Sequence, residues 1–144
     1  APFGGVVRRR DVLAGMAVLV VVAALETACK DSSGPLDPVW GKEPCAHCAM
    51  LVGDRRYAAQ VLDDGDHFYF DDIGCMVLWL EAHRGARTWV RGDGGARWID
   101  AATARYASGA GTPMDFGFEA RAEGQMAWSE VRAVVLRKND GSRR

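Results

Sequence analysis

The sequence has no surplus of positive charge, no apolar run long enough to cross a bilayer and no second pair of closely spaced cysteines or histidines, and each absence removes a class of function. Eighteen Lys and Arg stand against 19 Asp and Glu, a net charge of −1. Nucleic-acid binding needs a basic face that this balance does not supply. The longest uncharged apolar stretch, Val12 to Leu25, has 14 residues, where a spanning helix needs about 20. A closed zinc site commonly takes its four ligands as two short-spaced pairs, and the chain has one such pair, Cys45 and Cys48. What is present is an ordinary globular composition, 49% hydrophobic and 26% charged over 144 residues, sufficient for one domain with its own core.

The first 28 residues are expected to be a signal segment. Arg8, Arg9 and Arg10 form a positive start, and an apolar run and small residues follow, the layout of an export signal. Leu25-Glu26-Thr27-Ala28-Cys29 resembles a bacterial lipobox, with Glu26 where an aliphatic residue is usual. The resemblance implies cleavage before Cys29 and acylation of its sulfur. Each buried methylene contributes about 0.8 kcal/mol, so more than one acyl chain anchors a protein stably. Residues 29–41, with Gly34, Pro35 and Pro38, are expected to be the anchor cysteine and a flexible tether. The domain proper is expected over residues 42–137 and a polar tail over 138–144. Without residues 1–28 the chain carries 15 basic and 17 acidic side chains, a net charge of −2.

Within the domain, alternation over Tyr57 to Leu62 and again over His67 to Phe70, separated by Asp63-Asp64-Gly65-Asp66, predicts a β-hairpin. Asp71 or Asp72 then caps a helix to about Arg84, closed by Gly85, with Ile73, Met76, Val77 and Leu80 on one face. Thr88–Val90 and Trp98–Ile99 read as short strands around the Gly92–Gly95 turn, and Ala101–Tyr106 as a short helix or turn. Phe116–Ala120 reads as a strand, and Ser129 opens a last helix over Glu130–Lys138. Phe70-Asp71-Asp72-Ile73 has a counterpart 58 positions later in Trp128-Ser129-Glu130-Val131. Each follows an acidic-Gly turn, so the chain is expected to be α+β, one small domain of two similar halves.

The chemistry lies in sulfur. Cys45, His47, Cys48 and Met50 fall within six positions, Cys75-Met76 opens the first helix, and Met114 follows Thr112-Pro113 in a Gly-rich loop. Soft thiolate and thioether donors select Cu(I) over hard ions. A helix N-terminus, as before Cys75, favours the thiolate. Met50 and Met114 lie outside any apolar period, which favours a ligand role. Met76 shares the core-facing stripe, and Cys75 falls among Ile73, Val77, Leu78 and Trp79, where burial as a structural cysteine competes with ligation. His47 is either an exposed imidazole or a nitrogen ligand. Asp71-Asp72 is better explained as a helix cap than as a catalytic pair. A Cys45–Cys48 disulfide in the metal-free state would leave no idle pair of thiols.

These residues resemble the NosL family, lipoprotein copper chaperones that serve nitrous oxide reductase. The likeness rests on Cys45-Ala46-His47-Cys48-Ala49-Met50 beside the family's Cys-x-x-Cys-Gly-Met, on Tyr57-Ala58-Ala59-Gln60, on Phe70-Asp71-Asp72-Ile73-Gly74-Cys75-Met76 and on Thr112-Pro113-Met114. Ala49 stands where the family has glycine, and Asp115 follows Met114 where glycine is usual. The resemblance implies two ββαβ halves, a Cu(I) cargo and a lipid-anchored position at the periplasmic face of a bacterial membrane, with the outer membrane a candidate. It also implies delivery of copper to the reductase through a membrane assembly complex.

The expected function is therefore a Cu(I) chaperone and not an enzyme, with Cys48 and Met50 as donors, Cys45 and His47 assisting, and Met114, Cys75 and Met76 as further candidates. Two alternatives are a thiol-disulfide oxidoreductase using Cys45-x-x-Cys48 and a structural zinc domain for protein contact. The first predicts metal-free reductase activity; the second predicts unfolding by chelators.

Overall fold

A computed structural model describes residues 33–143; the signal segment and the expected lipidation at Cys29 lie outside the described residues. The described residues form a small mixed α/β domain with two antiparallel sheets and two helices. β1 (Ala59–Asp63) and β2 (Asp66–Phe70) pair in register from Ala59 opposite Phe70 to Asp63 opposite Asp66. Asp64 and Gly65 both take positive φ, 49° and 89°, the backbone that lets a two-residue turn follow the twist of its strands.

Helix α1 (Ile73–Leu80) begins directly after this hairpin, with the Asp72 carboxylate accepting from the Gly74 N–H at 2.9 Å. Ile73 to Val77 are all buried. The helix ends earlier than its sequence suggests: Ala82 and His83 donate to Trp79 and Leu80, a tightened last turn, and Gly85 at φ 87° reverses the chain. β3 (Arg87–Gly92) then pairs antiparallel with the other edge of β1, and β4 (Arg97–Asp100) pairs with β3 across a tight 3-10 turn at Asp93–Gly95. The sheet order is β2-β1-β3-β4.

The second sheet is β5 (Tyr106–Ser108) against β6 (Phe118–Ala120). β5 corrects the expectation of a helix or turn at its start. Tyr106 is fully buried and pairs across the sheet with Ala120, its hydroxyl donating to the Ala101 carbonyl at 2.7 Å. α2 (Trp128–Ser142) is longer than predicted and takes in most of the expected polar tail. Glu130 reaches back to accept from the Ala127 N–H, while Val131 and Val135, one turn apart, enter the core. They join Val61, Phe70, Ile73, Met76, Val77, Val90 and Phe118 between the helices and the sheets. Among the described residues no helix is long and apolar enough to cross a membrane.

Residues 36–41 carry no helix or strand, yet they are fastened to the domain. Gln60, fully buried, accepts from the Leu36 N–H at 3.0 Å and donates to its carbonyl at 2.9 Å. Asp37 accepts from Trp98 at 2.8 Å and pairs with the buried Arg91 at 3.2 Å. Trp40 lies between the guanidinium groups of Arg55 and Arg91, 4.6 and 5.1 Å from its ring. The folded unit thus begins upstream of Lys42, because buried Gln60 needs the Leu36 backbone to satisfy its amide.

Candidate metal centre

The segment from Pro44 to Leu51 folds back on itself. Pro44 and Leu51 form an isolated bridge, the Cys45 N–H donates to the Met50 carbonyl at 2.7 Å, and the Ala49 N–H donates to the Cys45 carbonyl at 2.9 Å. The Ala46 N–H donates to Tyr69 on β2, which fixes the loop against the strand that leads into α1. Closing so tight a loop puts Ala49 at φ 65°, the left-handed region that costs a residue with a Cβ about 1–2 kcal/mol. Glycine gives back roughly 0.5–1 kcal/mol of this in chain entropy. Ala49→Gly is therefore expected to stabilise the reduced protein by about 0.5–1 kcal/mol, read as a thermal midpoint raised by a few degrees.

With the loop pinned there, Cys45 and Cys48 meet the start of α1. One donor atom from each of Cys45, Cys48, Asp71 and Cys75 lies within 4.8 Å of all the others. A tetrahedral site with metal–sulfur bonds of about 2.3 Å has donor–donor edges of about 3.8 Å, so the four side chains need only small adjustments to close on an ion. Cys45, Cys48 and Cys75 are free thiols, not the Cys45–Cys48 disulfide of the metal-free expectation. Cys45 and Cys75 are buried and Cys48 is half-buried.

The thiols do not titrate alike. Cys45 is drawn down to about 6, first by the Cys75 thiol and then by the backbone N–H groups of Cys48, Asp71 and His47, against the effect of burial. Cys48 is pushed up to about 11, mainly by burial. Cys75 is pushed up too, first by its hydrogen bond with Cys45 and then by burial. Of the three thiols, Cys45 alone is drawn towards its thiolate.

Asp71 and Asp72 divide two tasks between them. Asp72 caps α1 through Oδ1, and its Oδ2 accepts from the Thr112 hydroxyl at 2.6 Å and the Met114 N–H at 3.0 Å. The cap thus also staples the Thr112-Pro113-Met114 loop over the helix start. Phe116 packs so closely on Gly74 that a Cβ there would lie 2.0 Å from its ring, and Lys138 of α2 reaches the Asp115 carbonyl. Asp71 faces the sulfurs instead. It is 2% exposed, accepts from the Cys48 thiol at 3.3 Å through Oδ1, and leaves Oδ2 buried without a partner. The sequence offers the two acids as one capping signal and does not single out Asp71 as a candidate donor. The available signal was that a helix start needs only one capping carboxylate.

The remaining candidates are placed differently. Met50 and Met114 are surface residues, 46% and 38% exposed, whereas Met76 is fully buried in the core. His47 is exposed and stands outside the four-donor group, lining a cavity of about 390 Å³ with Leu78, Glu81, Leu136 and Asp140. His83 stacks on Trp79 at 3.5 Å, and His67 Nδ1 lies 2.9 Å from Gln60 Oε1. In comparisons with known proteins, no family model, curated protein or solved structure matches this chain.

Proposed function

We propose that this protein is a Cu(I) chaperone of the NosL type, tethered through Cys29 to the periplasmic face of a bacterial membrane, which surrenders copper to nitrous oxide reductase and breaks no substrate bond. The observation that carries this reading is the convergence of Cys45 and Cys48 with Cys75, some 30 residues away in sequence, on one spot that opens to solvent at Cys48. Three sulfurs within 4.8 Å of one another suit a soft monovalent ion. Cys48 is partly open to solvent and Met50 and Met114 are exposed, so a partner's donor can enter before the last bond to copper breaks.

The backbone lends the family resemblance a physical reason. Its pattern has glycine where this chain has Ala49 and Asp115, and both sit in the left-handed region, at φ 65° and 56°. The duplication into two ββαβ halves belongs to the same proposal; a strand pair precedes each helix, β1-β2 before α1 and β5-β6 before α2. The oxidoreductase reading has less support. No helix begins at the Cys45–Cys48 pair itself, and the third thiol, Cys75, gathered with them within 4.8 Å suits a metal nest better than a two-cysteine redox pair.

The test is an anaerobic Cu(I) titration of the reduced full chain in detergent against a competing chelator. We expect one tightly held Cu(I), weakened about 100-fold in Cys48→Ser and about 10-fold in Met50→Ala and in Met114→Ala. Unaltered affinity in both Cys48→Ser and Met50→Ala would remove the reading.

A further inference from the structure

We infer that Cys45 and Cys75 are also a disulfide site, closed and reopened through the half-exposed Cys48, so that oxidation withdraws two of the three sulfurs and shuts the nest to metal. The inference concerns regulation of the site described above, and it rests on the copper reading only for what the closure controls.

Three thiols whose donor atoms lie within 4.8 Å of one another allow three different bridges, and their surroundings are not equal. Cys45 is the shared sulfur, hydrogen-bonded both to Cys75 and to Cys48. Cys48 also donates to Asp71 Oδ1 at 3.3 Å, whereas Cys75 has Cys45 as its hydrogen-bond partner. A bridge needs two sulfurs at about 2.05 Å, an approach that rotation about the Cα–Cβ bonds supplies. Cys45 and Cys75 stand 30 positions apart, so their bridge restrains the unfolded chain far more than one across the two residues between Cys45 and Cys48. It also fastens the Pro44–Leu51 loop to the start of α1.

Access sets the order of events. Cys45 and Cys75 are buried, and Cys48 is the one thiol of the three that is partly open. The oxidant is of the disulfide class, a small disulfide or an oxidised dithiol protein. The Cys48 thiolate attacks it, its sulfur–sulfur bond breaks, and one half leaves as a thiol. Cys45 then attacks the Cys48 sulfur and expels the second half as a thiol, which leaves a Cys45–Cys48 bridge. Cys75 attacks Cys45, frees Cys48 and completes the Cys45–Cys75 bridge. Two thiols of the nest are thereby oxidised, and their two electrons and two protons end on the two thiols released from the oxidant. A dithiol reductant runs the same steps backwards, entering again at Cys48. In the closed state one thiol remains, which does not reproduce a three-sulfur nest.

The experiment adds oxidised glutathione to the reduced, metal-free full chain in detergent, traps free thiols by alkylation at intervals and maps the bridges by mass spectrometry. The wild type is expected to end with Cys45 joined to Cys75 and Cys48 alkylated. Cys48→Ser is expected to slow closure by about 10-fold or more, Cys75→Ser to stop at the Cys45–Cys48 bridge, and Cys45→Ser to hold glutathione on Cys48. Ag(I), a redox-silent stand-in for Cu(I), is expected to bind the oxidised wild type about 100-fold more weakly than the reduced. A Cys45–Cys48 bridge as the end state of the wild type, closure at an unchanged rate in Cys48→Ser, or equal Ag(I) affinity before and after oxidation would overturn the inference. The mapped Cys45–Cys75 bridge in a chain whose reduced form binds no Cu(I) would instead sink the copper reading and leave the disulfide site standing.

Discussion

Cys45→Ser is expected to weaken Cu(I) binding by about a thousandfold, more than any other single substitution in the loop. A four-ligand structural zinc site is worth about 10–16 kcal/mol, so one donor is worth about 2.5–4, and a thousandfold is about 4 kcal/mol. Cys45 merits the upper end because its surroundings draw its thiol down to about 6, whereas those of Cys48 and Cys75 push theirs up and oppose the proton loss that binding needs. The same substitution has a pH signature. A thiol drawn down from 9.0 to about 6 on folding stabilises the fold fully above its unfolded value, and this stabilisation is lost as pH falls towards 6. The wild type should therefore gain stability over Cys45→Ser as pH rises from 6 to 9, measured by urea midpoints of the reduced, metal-free proteins. The ultraviolet thiolate band that grows in near pH 6 should vanish in the variant. A difference between the two proteins that does not change with pH would refute the assignment of the charge to Cys45.

The second large effect is structural. Asp72→Ala is expected to cost about 4–5 kcal/mol: about 1 for the helix cap, and about 1.5–2 for each of the two hydrogen bonds that Thr112 and Met114 make to this buried carboxylate. That is a large share of the 5–15 kcal/mol available to a small domain. Asp72→Asn should be much milder, since asparagine caps as well as aspartate and its single oxygen and amide keep part of the clamp. Urea unfolding measures the loss. Amide exchange locates it, because the Met114 and Gly117 N–H groups should lose protection in the alanine variant while β1 and β3 keep theirs. If stability falls and these two amides stay protected, the clamp is not what holds the loop.

How much of this was legible in the sequence depended on how local each cause is. Asp64-Gly65 announces its hairpin because only such residues take two positive φ values in succession, and Asp72 announces its helix because the cap acts two residues away. The Cys45–Cys48 pair is likewise local. β5 was hidden because three residues carry too short an alternation to detect, and its reason for being extended, Tyr106 against Ala120, lies 14 positions off. The fastening of Leu36 escaped for the same reason, as it depends on Gln60 being buried on β1. Asp71 is the instructive case. Its neighbour satisfies the familiar pattern, and only the convergence of Cys45, Cys48 and Cys75 around it gives the extra carboxylate a purpose.

The docking of Leu36 onto Gln60 also fixes how long a leash the domain has. An acylated Cys29 would stand seven positions before a residue already held by the fold, and seven extended residues span at most about 25 Å. A reach of that length is close to the diameter of a small domain, so the protein would patrol a thin layer of fluid beside the lipid headgroups. A copper acceptor would have to come down to that layer to be served.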